Sequence, residues 1–470
     1  MLRVNTSATE TPGTRQNDAI HLKEECMGHS DPVINVEARQ NFWMPFSPNK
    51  EFKSEPRMFV RGEGMYLYKP NGDQVIDASA GLFCVAAGHC RPEIAQAVYE
   101  QLSTLDYTMP FTRAHPKAFE LAEQIAGYTP GDLNRIFFCC SGSESVDSAM
   151  KMALAYHRAR GQGHRQLFVS RERAYHGVNM GGVALSGMVN NRRAFGPGMA
   201  GVYHMRHTAL PENKFVRGQP EKGVELAEDL LRICNLVGGE NIAAVFVEPA
   251  AGSFGCLPPP KGYLNRLREI CDQQGILLVF DEVITGWGRM GAAFGAQKFG
   301  VTPDILTMAK AVTNASQPLG AIAVRQDLYD TITNSGPEKG IEFFHGYTYS
   351  AHPASCAAGL AMMDIFRKEQ LIERAAAMSD YFLDGIFSLK DIPGVVDIRG
   401  VGMMAAIELA PGAAPGSRGH EAQKALYDAN LNLKATGDSI IFGPPFIAEK
   451  HHIDEIVNKT RSVLTAMSKK

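Results

Sequence analysis

Asp281 and Lys310 carry complementary chemistry at the ends of two apolar runs in this 470-residue chain. Residues 276–280 form a strand-length run that delivers Asp281 and Glu282, and residues 305–308 deliver Lys310. Parallel α/β sheets hold ligands at the C-terminal ends of their strands, so both side chains can enter one crevice. The pairing suits an aldehyde cofactor, with the amine forming an imine and the carboxylate keeping a ring nitrogen protonated. It also suits a salt-bridged edge of a core, and this stretch alone leaves both readings open.

Other strand-length runs end in polar residues too. Ser141-Gly142-Ser143-Glu144 follows residues 136–140 with capping-box spacing, and Val146, Ala149, Met150, Ala153, Leu154 and His157 then fall on one helical face. A helix start of this composition offers N–H groups, hydroxyls and the positive dipole end to a phosphate, although many helices begin this way with no ligand. Tyr175-His176-Gly177 follows residues 166–170 and presents a ring for stacking on a flat cofactor or for plain packing. Glu248 ends the run 242–247, and acidic residues at neighbouring strand ends fit one polar pocket better than separate surface positions. The stretch 345–350 adds hydroxyls and a glycine, suited either to a phosphate or to a turn.

The elements that must position these residues alternate. Runs at 136–140, 166–170, 242–247, 276–280, 305–308 and 321–324 are strand candidates with helical periodicity between most of them, which predicts an α/β fold with a mainly parallel sheet covered on both faces. The interval 183–219 reads as an extended loop. Residues 65–77 read as a hairpin about Asn71-Gly72, and 92–102 as a helix. After about residue 331, helical runs at 356–368 and 371–389 precede strand candidates at 395–398 and 403–409 and a polar loop at 411–419, an α+β lobe. The expected organisation is a poorly ordered tail at 1–30, an N-terminal segment at 31–95 joined to the smaller lobe, a large domain at 96–345 and a small domain at 346–470.

Composition narrows the class. With 45% hydrophobic and 21% charged residues the chain reads as an ordinary globular protein, and a net charge of −3 gives no basic surplus for nucleic acid. No apolar run approaches the roughly 18 residues of a membrane span. The nine cysteines are scattered without C-x-x-C spacing. They read as free thiols in a reducing, cytoplasmic setting, with no metal site.

Taken in order, Ser141-Gly142-Ser143-Glu144, Tyr175-His176-Gly177, Asp281-Glu282-Val283, Gly286-x-Gly288-Arg289, Lys310 and Tyr347-Thr348 resemble the class III aminotransferases, pyridoxal-phosphate enzymes of fold type I. The likeness runs from Trp43 to the C-terminal region. Fragments such as RAYHGVN, DEVITGWGR and HGYTYSAHP resemble its ω-amino acid:pyruvate (β-alanine–pyruvate) branch. The resemblance implies roles position by position. Lys310 bonds the cofactor's aldehyde carbon and then carries a proton between carbons, and Asp281 pairs with the ring nitrogen. Val283 and Tyr175 cover the two ring faces. Gly142 and Ser143, with Ser141 and His176 beside them, belong to the cofactor site, and Glu248 supports the ring hydroxyl. Thr348 reaches the phosphate of a second subunit, which implies a homodimer or a tetramer built from it. The implied reaction moves an amino group from an ω-amino acid or primary amine to pyruvate. The same cofactor residues would serve a lyase or aminomutase, or a taurine-type donor. Three positions depart from the branch pattern. Lys434 stands where an arginine commonly grips the acceptor carboxylate, Phe83 where a tryptophan lines the substrate pocket, and Ala86 is small for its place.

Overall fold

The computed structural model describes residues 36–196 and 198–469, so the expected tail at 1–30 lies outside the described residues. Backbone packing divides the chain into Met1–Met58 and Phe59–Lys470. In the first unit, short helices at Val36–Asn41 and Asn49–Ser54 flank a turn in which the Asn49 side chain bonds both the N–H and the carbonyl of Met44.

The second unit is built on a seven-stranded sheet. Its strands are β1 (Arg135–Cys139), β2 (Leu167–Arg171), β3 (Val202–Met205), β4 (Ile242–Val247), β5 (Leu277–Asp281), β6 (Ile305–Met308) and β7 (Gly320–Val324). Their spatial order is β1-β7-β6-β5-β4-β2-β3. Neighbours from β3 to β6 pair in parallel, whereas β7 runs antiparallel to both β6 and β1. β4 and β5 are buried along their whole length, as strands covered on both faces must be. Successive residues of β4 go to opposite sides: Ala244 and Phe246 meet Val146, Ala149 and Ala153 of the Gly142–Ala159 helix, while Val245 and Val247 enter the larger core on the other face. The predicted face of that helix is buried except for Leu154, which is half-buried.

One expectation is corrected here. The interval 183–219 is not a plain loop, because it holds the end of the Met180–Leu185 helix, a short helix at Val189–Arg192 and the edge strand β3. β3 is half-buried at three of its four positions, so its sequence carries no continuous apolar run to mark it.

The C-terminal lobe has a four-stranded antiparallel sheet, ordered Val395–Val401, Met404–Leu409, Ser439–Phe442, Lys434–Thr436. Helices Leu371–Phe387, Ser417–Asp428 and Lys450–Met467 accompany it, and the second of these starts inside the stretch expected as a polar loop. The expected hairpin forms from Tyr66–Tyr68 and Gln74–Asp77, and the latter strand pairs in parallel with Leu431–Asn432. That pairing joins the N-terminal segment of this unit to its C-terminal lobe.

Candidate active site

The parallel strands bring their polar C-terminal residues to one edge of the sheet. Asp281 is the last residue of β5, paired in register with Thr307 of β6. Its carboxylate is held by three donors: His176 Nδ1 to Oδ2 at 2.8 Å, and Thr307 Oγ1 and the Val283 N–H to Oδ1, both at 3.2 Å. A buried carboxylate fixed at both oxygens is aimed rather than free to rotate.

Glu282, one residue on, does a different job. It accepts bonds from Thr285 Oγ1, Gly295 N–H and Ala296 N–H, each 2.6 Å long, and burial pushes its carboxyl up to about 7. It ties the loop after β5 to the start of the Gly295–Phe299 helix. Glu282→Ala leaves three buried donors unsatisfied, an expected loss of about 3 kcal/mol or more. A thermal inactivation series checks this, with a lower half-inactivation temperature as the expected outcome.

Lys310 follows β6 and has a left-handed backbone, φ 57°. Holding a lysine there costs about 1–2 kcal/mol, and such strain persists at sites where the surrounding structure dictates it. Among the described residues nothing accepts a hydrogen bond from its amine. Burial pulls its pKa down, nearby Cys84, Asp281 and Glu248 push it back up, and Arg289 adds to the lowering.

Glu248, after β4, accepts from the Tyr175 N–H and the Gly252 N–H, both at 3.0 Å, and burial pushes its carboxyl up. It thereby fixes the loop carrying Tyr175, which is half-buried beside Asp281 and Glu248. At the start of the Gly142–Ala159 helix, Ser141 Oγ accepts from the Glu144 N–H at 3.2 Å. The Glu144 carboxylate reaches back to the Cys140 N–H at 2.7 Å, one residue beyond the position a capping box predicts. Two close approaches depend on glycine. A Cβ on Gly142 would lie 2.9 Å from both Val283 methyls, and one on Gly177, whose φ is 96°, would lie 2.6 Å from Ser143 Oγ. Ser143 Oγ also accepts from the Val178 N–H at 3.1 Å. The helix start, the Tyr175 loop and Val283 therefore converge on one place. A half-buried amine without an acceptor, an aimed carboxylate and a glycine-opened helix N-terminus fit pyridoxal phosphate.

Lys434 lies on the short strand Lys434–Thr436 and is half-buried. Burial and the charge of Lys310 pull its pKa down to about 8, with Glu248 opposing. It therefore shares the crevice with Lys310 and Glu248. Phe83 and Ala86 are placed differently from an open pocket wall. Phe83 is 2% exposed, packed with Cys256, Ile284 and Met290, and the Ala86 carbonyl accepts from the Phe446 N–H at 2.8 Å. Leu82, beside Phe83, is 47% exposed, and Cys84 is partly so. Thr348 is exposed, and its carbonyl accepts from Tyr107 Oη at 3.0 Å; within this chain no hydrogen bond ties it to Asp281 or Lys310.

Two neighbours of the site escaped the sequence reading, and a third, Arg289, stood there only as part of the Gly286-x-Gly288-Arg289 motif, with no role assigned. Thr307 braces Asp281, and its place opposite that residue in β6 is visible only once strand register is known. Cys84 is close enough to Lys310 to raise its pKa, and its adjacency to Phe83 was the available signal. Arg289, fully buried and pushed down to about 9 by desolvation, donates to the carbonyls of Met403 and Pro444 at 3.1 and 2.7 Å.

The model of the family described as "Aminotransferase class-III" matches residues 49–464. The chain is 52% identical to an omega-aminotransferase of Caulobacter vibrioides, covering 90% of this chain and 97% of that protein. It is 46% identical to the beta-alanine–pyruvate aminotransferase of Pseudomonas aeruginosa, covering 93% and 98%. Among solved structures, the omega transaminase from Pseudomonas jessenii in complex with PMP superposes with a TM-score of 0.88 at 31% identity, covering 93% of this chain and 98% of that one. The chain belongs to the class-III aminotransferases, of fold type I, and its cofactor is pyridoxal 5'-phosphate.

Proposed function

We propose that the enzyme transfers the amino group of an ω-amino acid or primary amine to pyruvate, giving an aldehyde or ketone and alanine, by a ping-pong mechanism. The observation that carries this reading is the half-buried Lys310 amine with no hydrogen-bond acceptor among the described residues, at the same sheet edge as the fixed Asp281 carboxylate. Choice of pyruvate as acceptor draws on the relatives named as beta-alanine–pyruvate and omega-amino acid–pyruvate aminotransferases. When bound, pyridoxal phosphate supplies an electron sink for the carbon that loses its proton.

The chain's own residues supply the rest. Lys310 Nζ, its pKa lowered by burial, would be the base that carries the proton between the two carbons. Asp281, kept in place by His176, Thr307 and the Val283 N–H, would hold the proton on the ring nitrogen. Val283 and Tyr175 would confine the ring, and Glu248 orients the Tyr175 loop. Gly142 and Ser143 would hold the phosphate at the helix N-terminus, where N–H groups and the helix dipole favour an anion. Phe83 and Ala86 are buried, so they would bear on the substrate through the neighbouring Leu82, which is exposed, and Cys84, which is partly so.

A homodimer completes this reading, with Thr348 serving the partner's phosphate. It is supported by exposed apolar side chains near that segment, including Tyr107, Met109, Phe111, Phe344 and Tyr349. The scattered cysteines of the sequence support a cytoplasmic setting; among the described residues no helix is long and apolar enough to cross a membrane.

Lys434 binds the acceptor carboxylate as a point charge. Its pKa of about 8 sets a testable sign: the cation is present below that pH and lost above it. The KM for pyruvate should rise by up to about tenfold per pH unit above roughly pH 8. Lys434→Arg, charged throughout, should flatten that rise. An unchanged profile in the arginine variant would remove Lys434 from this role. For the reaction itself, initial rates with β-alanine and pyruvate should give parallel double-reciprocal lines and one alanine per turnover. Turnover without any keto acid would contradict a transaminase.

A further inference from the structure

Asp77 ends the strand Gln74–Asp77, is fully buried and has no part in the chemistry described above. Its carboxylate is nonetheless held from every side. Oδ1 accepts from the Ser79 N–H at 3.0 Å, from Ser79 Oγ at 3.3 Å and from Asn432 Nδ2 at 3.2 Å. Oδ2 accepts from the Gly81 N–H at 2.6 Å and lies 2.8 Å from His89 Nε2. A buried carboxylate is costly unless its lone pairs are filled, and here the groups that fill them belong mostly to residues 79–89.

The turn that Asp77 holds is one its own sequence does not favour. Ala80, Gly81 and Phe83 are all left-handed, with φ of 47°, 65° and 62°, a region that only glycine adopts freely. The bond from the Gly81 N–H to Asp77 sits inside that run. Just after it, the chain is tied to the element of the reacting amine. Asn314, buried at the end of the turn that begins with Lys310, accepts from the Ala87 N–H and donates to the Gly88 carbonyl, both at 2.8 Å. Between these two anchors lies Cys84, partly exposed and near enough to Lys310 to raise its pKa. Asn432, two residues before Lys434, donates to Asp77, and its carbonyl accepts from the Ala78 N–H at 2.9 Å.

We propose that Asp77 is a positioning residue for the substrates. It sets the turn at residues 79–84 against Lys310 and, through Asn432, the strand that carries Lys434. The space that the amine donor and then the keto acid occupy is thereby fixed from two sides, although Asp77 touches neither of them. Which substrates these are rests on the transamination reading; the placement of the turn does not.

The test follows the two half-reactions of the holoenzyme separately, the cofactor band lost with β-alanine and regained with pyruvate, in the unaltered enzyme, Asp77→Asn and Asn432→Ala. An amide at residue 77 sets its own donors against those of the turn. In Asp77→Asn the half-saturating concentrations of β-alanine and pyruvate should both rise about tenfold, with limiting rates within about twofold. Asn432→Ala leaves the turn's own bonds to Asp77 in place, so it should raise the value for pyruvate about threefold or more and leave that for β-alanine unchanged. A second readout needs no turnover. Alkylation of Cys84 by iodoacetamide, located by peptide mapping, should run about threefold or more faster in Asp77→Asn, because a loosened turn opens a partly covered thiol. A merely structural Asp77 would lower the inactivation temperature and leave both half-saturating concentrations and Cys84 labelling unchanged, which would overturn the proposal. Unchanged pyruvate saturation in Asn432→Ala would overturn it too, and decides the matter should Asp77→Asn fold poorly. If β-alanine fails to bleach the band of the unaltered enzyme, the transamination reading fails instead, and Cys84 labelling still tests the placement of the turn.

Discussion

Replacing Lys310 with alanine lowers kcat for amine-to-pyruvate transfer by at least about 10⁴-fold, the expected result of removing both a nucleophile and a proton carrier. The side chain is half-buried and without a hydrogen-bond acceptor on a backbone at φ 57°, and alanine there removes no contact that another residue needs. The fold should therefore survive, which a retained inactivation temperature checks. Added methylamine should restore a small fraction of the proton-transfer rate, because the crevice is built around the missing amine. Turnover near the original level would remove Lys310 from the centre of the mechanism.

Asp281→Asn is the second large effect. The amide is nearly isosteric and remains within reach of Thr307 and the Val283 N–H, so the loop after β5 stays in place. It cannot hold the proton on the ring nitrogen, and the electron sink weakens. A preorganised charge of this kind is worth about 3–4 kcal/mol, so kcat should fall by about 10²–10³-fold. Binding of the amine donor should change far less. A fall confined to KM would place Asp281 in substrate binding instead.

The sequence made the sheet legible where the strands are buried. β4 and β6 fall at the predicted bounds, because continuous apolar runs mark strands covered on both faces. β5 is shifted by one residue and includes Asp281, since backbone pairing to Thr307 continues past the last apolar side chain. Direction was not legible. β7 turns antiparallel because only the short segment between Met308 and Gly320 separates it from β6, too short for a helical crossover. The half-buried edge strand β3 left no apolar signature at all. Motif order marked the residues of the site, while contacts made across strands, such as Thr307 on Asp281 and Cys84 near Lys310, depend on register and could not be read from spacing.

Pyruvate choice, the part of the account furthest from backbone geometry, rests on Lys434 and the crevice it shares with Lys310 and Glu248. The most direct measurement separates the two half-reactions. Holoenzyme is mixed with excess β-alanine, freed of small molecules, and then given pyruvate while the cofactor absorption band is followed and alanine is counted. The account predicts loss of the band in the first step, its return with pyruvate, and one alanine formed per active site. A band that pyruvate fails to restore, or carbon dioxide released in place of alanine, would contradict it.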